Sequence, residues 1–165
     1  MIAPHGGEII ERVLKGEEKE NALEKARKLA YIKLSSDQIS DIENIAYGIF
    51  SPLEGFLGRK DYQNVLNQMR LADDLPWPIP IVLDVEKEKT DKLKEGQEIA
   101  LINQSNQPVA LFYLEEKYGF SKEELAEKVF RTTDDLHPGI AKVKGMKEIL
   151  LAGKIDLIQE SPTPF

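Results

Sequence analysis

The chain has 165 residues, of which 41% are apolar and 31% are charged, and its net charge is −7 at neutral pH. This length suits one domain with a real hydrophobic core. The acidic balance argues against a general surface for nucleic acids or acidic membranes, both of which need clustered Lys and Arg. The absence of cysteine excludes disulfides, thiolate metal sites and a cysteine nucleophile. Because no apolar run reaches membrane-spanning length and no signal-peptide pattern is present, we expect a cytoplasmic protein.

The first thirty residues are predicted to form an irregular arm followed by helix. Residues 1–7 hold one proline and two glycines around His5, which is typical either of a flexible arm or of an ordered arm in close backbone contact. Apolar residues at positions 9, 10, 13 and 14 have helical spacing, Gly16 interrupts the pattern, and residues 21–29 resume it. Two short helical segments separated at Gly16 are therefore predicted.

Residues 31–34 are predicted to form a short strand, and a helix is predicted to start near Ser36. Ser35 and Gln38 have capping-box spacing, in which each side chain bonds the backbone N–H of the other residue. Gly48 is expected to end this helix. Its predicted buried side consists of Ile39, Ile42, Ile45, Ala46 and Ile49.

The stretch after this helix combines turn chemistry with bulky apolar side chains. Pro52 fixes its own φ angle and moves Ser51 away from the helical region, and Gly55 can adopt a positive φ. Because polar residues are the usual choice in a loop, we expect this one to be pinned, either against the chain's own core or against a second domain or ligand. Its members of interest are Phe50, Ser51, Pro52, Leu53, Gly55 and Phe56.

A third helix and a further strand are predicted in the middle of the chain. Asp61 is expected to cap the helix. The predicted apolar stripe of this helix is Tyr62, Val65, Leu66 and Met69. Prolines at positions 76, 78 and 80 forbid helix and central strand pairing there, but residues 81–85 alternate at strand period. We therefore predict a proline-led entry into a strand.

The second half of the chain is predicted to be mostly strand. Residues 99–102 and 109–114 have strand character and are joined by a polar hairpin loop. Ser121 and Glu124 have capping-box spacing, which predicts that a helix begins there.

A turn and a closing pair of strands are predicted to complete the fold. The turn is formed by His137, Pro138 and Gly139. Apolar residues alternate over positions 149–157, with Gly153 near the bend between the two strands. Short strands with helices inserted between them predict an α+β domain with a curled sheet or pseudo-barrel.

No self-sufficient active site is recognisable in the sequence. The two histidines, His5 and His137, cannot form a local metal-binding pair, and neither a nucleophile elbow nor a phosphate-binding loop is present. Ser51 has no obvious base partner, and the five arginines are scattered. We therefore assign no catalytic, cofactor-binding or metal-binding residue to this chain.

Three separated stretches resemble the N-terminal domain of the ATP sulfurylase (sulfate adenylyltransferase) family. The first is the arm Pro4-His5-Gly6-Gly7. The second runs through residues 41–85 and contains the loop motif F-S-P-L-x-G-F, followed by P-I-P-I. The third is H-P-G-I-A at positions 137–141, followed by G-K-I at positions 153–155. The match covers nearly the whole chain.

The resemblance implies a PUA-like domain over residues 1–160, with residues 161–165 starting a linker to an absent Rossmann-like catalytic domain. In that family the nucleotide- and sulfate-binding motif, Q-x-R-N followed by paired histidines, belongs to the catalytic domain. The segment Gln68-Met69-Arg70-Leu71 lacks the asparagine and the histidine pair, so no catalytic residue is carried over to this chain. ATP and sulfate are implied as substrates of the whole enzyme, with no cofactor held here.

The implied partner is the catalytic domain, in the same chain or in a separate one, and a homo-oligomer is also possible. We hypothesise that the loop at residues 50–56 and the turn at residues 137–139 contact that domain at the junction. One alternative is a free-standing PUA-like module that binds RNA or protein, although the acidic charge balance opposes RNA. Another is a non-catalytic subunit of a separately encoded catalytic chain. No membrane contact is expected.

Overall fold

A computed structural model describes residues 10–71, 75–77, 80–130 and 138–158. These residues form six helices and a mixed six-stranded sheet, which confirms the predicted α+β class. The helices are α1 (Gly16–Ala26), α2 (Ser36–Ala46), α3 (Arg59–Gln68), α4 (Lys87–Thr90), α5 (Lys122–Phe130) and α6 (Pro138–Lys144). The strands are β1 (Tyr31–Lys33), β2 (Gly55–Phe56), β3 (Leu83–Val85), β4 (Glu98–Ile102), β5 (Pro108–Gly119) and β6 (Ile149–Leu157). The predicted arm at residues 1–7, His137 and the predicted linker at residues 161–165 lie outside the described residues.

The strand order is β1-β4-β5-β6-β2, and β3 also pairs with β6. β1 runs parallel to β4, whereas the β4–β5, β2–β6 and β3–β6 pairs are antiparallel. The closing pair of strands predicted around Gly153 is instead the single strand β6, so that prediction was wrong. Gly153 is a point of close backbone contact rather than a bend, because its missing side chain admits a neighbouring strand.

The chain divides into two compact units. Unit 1 comprises Met1–Phe56, Leu93–Glu115 and Gly153–Phe165, and unit 2 comprises Leu57–Lys92 and Glu116–Ala152. Each unit has an apolar cluster among its described residues. In unit 1 the buried members are Ala22, Ala26, Ala100, Ile102, Leu111 and Ile158. In unit 2 they are Tyr62, Leu66, Tyr118, Leu125, Ala126, Ile140, Val143, Leu150 and Ala152.

Local capping chemistry starts α2 where the sequence predicts it. The Ser35 hydroxyl accepts from the Gln38 N–H at 3.2 Å, and the Gln38 side chain accepts from the Ser35 N–H at 2.9 Å. The predicted apolar side is buried at Ile39, Ile42, Ile45 and Ala46. Ile49, also expected on that side, is 70% exposed. The helix has ended at Ala46, and Gly48, with a φ of 84°, redirects the chain.

The helix predicted before Gly16 is absent from the described residues, since residues 10–14 have no helical assignment and only Val13 is in a bridge. Val13 forms a parallel bridge with Leu157, and the Leu14 N–H donates to the Leu157 carbonyl at 2.9 Å. Pairing with β6 satisfies this backbone, so the helical spacing of four apolar residues does not decide the conformation. Helix α1 begins at Gly16, where a break was predicted, and it buries Ala22 and Ala26.

Helix α3 is capped from a distant part of the sequence. Asp61 was predicted to cap it, but the helix begins at Arg59, after Gly58, and the Arg59 N–H donates to the Glu116 carboxylate at 2.8 Å. Asp61 lies within the first turn, where a negative charge is favourable. Met69 was predicted to face inward, but it ends the helix with a φ of 55° and is 50% exposed.

The two C-terminal helices of unit 2 differ in how well local signals predicted them. The Ser121 hydroxyl accepts from the Glu124 N–H at 3.1 Å, which confirms the predicted start of α5. The turn predicted at Pro138 and Gly139 is wrong, because these two residues begin α6. Proline is well tolerated in the first turn of a helix, where its missing N–H has no intrahelical partner to lose.

We expect two buried tyrosines of unit 2 to differ in how removal of the hydroxyl group affects the free energy of unfolding. The Tyr118 hydroxyl donates to the Leu57 carbonyl at 2.6 Å, whereas the Tyr62 hydroxyl has no hydrogen-bond partner among the described residues. Tyr118→Phe should lower the free energy of unfolding by about 1–2 kcal/mol, since a buried carbonyl loses its donor. Tyr62→Phe should leave it unchanged or raise it by up to about 1 kcal/mol. Urea unfolding of both variants checks this, and equal losses at the two positions would contradict it.

Candidate functional site

The loop at residues 50–56 is anchored in unit 1 by its own polar atoms. The Ser51 side chain is buried, and its hydroxyl accepts from the Ile10 N–H at 2.8 Å and donates to the Gly48 carbonyl at 2.7 Å. The peptide bond between Ser51 and Pro52 is cis. The Leu53 N–H donates to the Phe50 carbonyl at 2.9 Å. The Ser51 side chain therefore links the loop to residue 10 through a hydrogen bond.

The end of this loop lies directly on strand β6. Gly55 pairs with Lys154, and Phe56 pairs with Gly153. A Cβ atom at Gly55 would overlap the Gly153 carbonyl, and a Cβ atom at Gly153 would overlap the Tyr113 carbonyl. Only glycine fits these two positions, because in each case the obstacle is backbone rather than a movable side chain.

The apolar side chains of the loop are divided between the interior and the surface of unit 1. Leu53 and Phe56 are buried, and the Phe56 ring packs edge to face against Phe112 with centroids 6.2 Å apart. Phe50 and Pro52 are half-buried. The sequence left open whether the loop packs against the chain's own core or against a second domain or ligand. Leu53 and Phe56 pack in the chain's own core. The junction role of the loop stays a prediction.

A partly buried charged cluster lies beside the loop. The Arg12 guanidinium is 3.1 Å from the Asp156 carboxylate and 3.8 Å from Glu54, which is in turn 3.4 Å from the Lys154 ammonium. The Tyr113 hydroxyl donates to Asp156 at 2.7 Å. Burial, and then this hydrogen bond, raise the pKa of Tyr113 above its ordinary range. The cluster is close to charge balance, so it can hold segments of the fold together but offers little attraction for an anionic substrate.

A cleft of about 530 Å³ opens on another part of unit 1. Its lining brings together the segment before α1, the start of α1, the residue after α2 and the end of β6. The lining residues are Val13, Leu14, Lys15, Gly16, Lys19, Tyr47, Leu157 and Ile158. Most of its side chains are apolar. The sequence did not indicate this cleft, because its apolar spacing predicted a helix before Gly16. No local sequence pattern shows that these four segments lie together.

The second predicted junction element lies in unit 2. Pro138 is exposed and Gly139 is half-buried at the start of α6, and a Cβ atom at Gly139 would overlap the Phe130 ring. His137, the third residue of the predicted turn, lies outside the described residues. The contact of this element with a catalytic domain stays a prediction.

Across the described ranges, no group of three or more His, Cys, Asp or Glu side chains is placed to hold a metal ion. No helix in the same ranges is long and apolar enough to cross a bilayer. The assignment of no catalytic, cofactor or metal residue, like the cytoplasmic location, stays a prediction.

Substitution of Gly153 should be far more damaging than substitution of a glycine with room around it. Gly153→Ala forces the Tyr113 backbone to move, so we expect the free energy of unfolding to fall by about 3 kcal/mol. Gly119, which has no atom within 4 Å of its Cβ position and a φ outside the left-handed region, is the matched control. Gly119→Ala should change stability by less than about 0.5 kcal/mol. Equal effects of the two substitutions in urea unfolding would rule out close contact at Gly153.

Ser51 should contribute measurably to stability through its two hydrogen bonds. Ser51→Ala leaves the Ile10 N–H and the Gly48 carbonyl without this partner, so we expect a loss of about 1–3 kcal/mol in the free energy of unfolding. Ser105→Ala, in the exposed hairpin loop, is the control and should be nearly neutral. The free energy of unfolding of both variants is measured by denaturant titration. An unchanged value for Ser51→Ala would show that these two hydrogen bonds do not contribute to stability.

Comparison with known proteins places the chain in a family. A profile of the PUA-like domain family matches residues 2–160. A structure of a hexameric APS kinase from Thiobacillus denitrificans matches with a TM-score of 0.74 over 99% of this chain and 28% of that one, and at 22% identity this likeness concerns the fold alone.

Several curated relatives are sulfate adenylyltransferases, which confirms the resemblance seen in the sequence. The protein from Hyperthermus butylicus is 47% identical over 98% of this chain, and the one from Halothermothrix orenii is 46% identical over 96%. The chain spans only 41% and 42% of the length of these relatives. The profile match over nearly every residue, together with the shared α+β fold, shows that the chain belongs to the PUA-like domain family.

Proposed function

We propose that this chain is the non-catalytic PUA-like domain of a sulfate adenylyltransferase, and that it supports a catalytic part carried on further polypeptide. The observation that carries the proposal is 47% identity to the Hyperthermus butylicus enzyme over 98% of this chain but 41% of that protein. The whole enzyme, by resemblance, joins ATP and sulfate to form adenylyl sulfate and pyrophosphate. In this proposal the additional length of the relatives holds the reaction site.

Charge supports a non-catalytic role. The reaction needs positive groups around sulfate and triphosphate, with donors aimed at the charge that develops on the α-phosphate. The chain has a net charge of −7. The Arg12 guanidinium in unit 1 is already engaged by Asp156 and Glu54. In unit 2, the Arg59 guanidinium lies 5.8 Å from the centre of the Tyr118 ring. Neither arrangement resembles a prepared phosphate site.

The proposed partner is therefore a catalytic domain, which lies in the same chain or in a separate one. ATP and sulfate bind to that partner, and this domain contributes packing surface and the geometry of the junction. A homo-oligomer of the whole enzyme is compatible with this role. Nothing in the described residues favours the alternative of an RNA-binding module, since the basic surface that RNA requires conflicts with the acidic charge balance.

The proposal is tested with a chimera in which this chain replaces the matching part of the Hyperthermus butylicus enzyme. The chimera should release pyrophosphate from ATP in a sulfate-dependent manner, and this chain by itself should release none above background. The remainder of the enzyme without either domain should be less active and should unfold at a lower temperature. Sulfate-dependent pyrophosphate release by this chain alone would contradict the non-catalytic role. A remainder as active and as stable as the chimera would contradict the supporting role.

A further inference from the structure

Helix α4 is capped by a carboxylate that lies far away in the sequence. Its N-cap residue, Glu86, makes no capping hydrogen bond with its own side chain. Instead, the N–H of Lys87, the first residue of the helix, donates to the carboxylate of Glu148, the residue directly before β6, at 3.2 Å. Because a helix of four residues is not stable by itself, contacts with other segments must hold α4 in place.

A second carboxylate makes the same kind of contact in the opposite direction. The carboxylate of Asp84, on β3, accepts from the N–H of Lys147 at 2.8 Å. Lys147 and Glu148 are adjacent in the segment between α6 and β6, whereas Asp84 and Lys87 belong to the segment that runs from β3 into α4. Each segment therefore offers one carboxylate to a backbone N–H of the other. We call these two hydrogen bonds the clasp.

The clasp lies at one end of the ladder between β3 and β6. The ladder has three residue pairs, and Val85 with Ile149 is the pair next to α4. Beyond this pair, the clasp joins the two segments, together with the ion pair of Lys147 and Glu86, whose charged atoms are 3.8 Å apart. Both partners of the ion pair are about half exposed, so it contributes little.

The charged groups around Glu148 favour its ionised form. The hydrogen bonds that its carboxylate accepts from its own N–H and from the N–H of Lys87 lower the pKa of Glu148 below its ordinary value of 4.5, and the charges of Lys122 on α5 and of Lys147 act in the same direction. Because the pKa is lower in the folded chain, the stabilisation by Glu148 is fully present above pH 4.5 and is lost as the pH falls through the lower value.

We propose that the clasp is an acid-sensitive device, which holds α4 to the segment before β6 near neutral pH and releases both when its carboxylates are protonated. A protonated carboxyl group carries no charge and is a weaker acceptor, so two backbone N–H groups lose a strong partner. Helix α2 gives the contrast, because Ser35 and Gln38 cap it with groups that do not titrate. Acid should therefore loosen α4 while α2 stays folded. This inference does not depend on the proposed function.

Amide hydrogen exchange in this chain tests the clasp, with each rate divided by the rate of the unfolded chain at the same pH. Glu148→Gln imitates the protonated carboxyl group, because it keeps the shape and removes the charge. Glu127→Gln, at an exposed glutamate of α5 outside the clasp, is the matched control. The Thr90 and Asp91 amides, which donate to carbonyls at the start of α4, report on this helix. At about pH 7, their protection should fall about 5-fold in Glu148→Gln and stay unchanged in Glu127→Gln.

The same measurement in acid shows whether protonation has this effect. Between about pH 7 and about pH 3, protection of the Thr90 and Asp91 amides should fall in the unsubstituted chain toward its value in Glu148→Gln, while protection in α2 is kept. Unchanged protection in Glu148→Gln at about pH 7 would overturn the proposal, whatever happens in acid. An equal loss in α2 and α4 would also overturn it, because acid would then unfold the chain as a whole.

Discussion

The contact of backbone on backbone at Gly153 is the constraint on which unit 1 depends. The strand β6 passes so close to Gly55 on one side and to the Tyr113 carbonyl on the other that neither glycine can carry a side chain. This contact sets the pairing of Phe56 with Gly153, and the pairing in turn directs the Phe56 ring onto Phe112. Interior packing at protein density tolerates no further atom at such a point. The apolar loop therefore keeps its position both because these two glycines have no side chain and because its own hydrophobic side chains are buried.

The segment before α1 is fixed to the same strand by charge and by backbone pairing. Arg12 bonds the Ile155 carbonyl at 2.6 Å and the Asp156 carboxylate at 3.1 Å, while Val13 bridges to Leu157. An arginine that satisfies a carbonyl and a carboxylate together is well suited to a partly buried position, because its fork offers several donors in one plane. The same attachment brings Val13 and Leu14 beside the end of β6. The cleft therefore results from the attachment of the segment before α1 to strand β6.

These features are compatible with the supporting role proposed above. Two large side chains of the loop motif, Leu53 and Phe56, pack inside unit 1, and the hydroxyl of its serine takes part in two backbone hydrogen bonds. The most organised cationic group, Arg12, is neutralised by neighbours. Among the described residues, unit 1 also has a cleft whose lining includes Val13, Leu14, Lys15 and Tyr47. Under the proposed function, this domain would contribute packing surface and the geometry of the junction, and the site of the reaction would lie elsewhere.

The sequence by itself determined the elements whose signals are local. The starts of α2 and α5 follow from capping residues three positions apart, the strand character of β1, β3 and β4 follows from short β-prone apolar runs, and the α+β class follows from their order. For the candidate site, the sequence indicated the packed loop at residues 50–56 but did not indicate the cleft. The tertiary structure alone decided the conformation of residues 10–14, the exposure of Ile49 and Met69 and the cap of α3 by Glu116. The physical reason is that each of these depends on a partner distant in the chain or on where a helix stops, and apolar spacing carries no information about either.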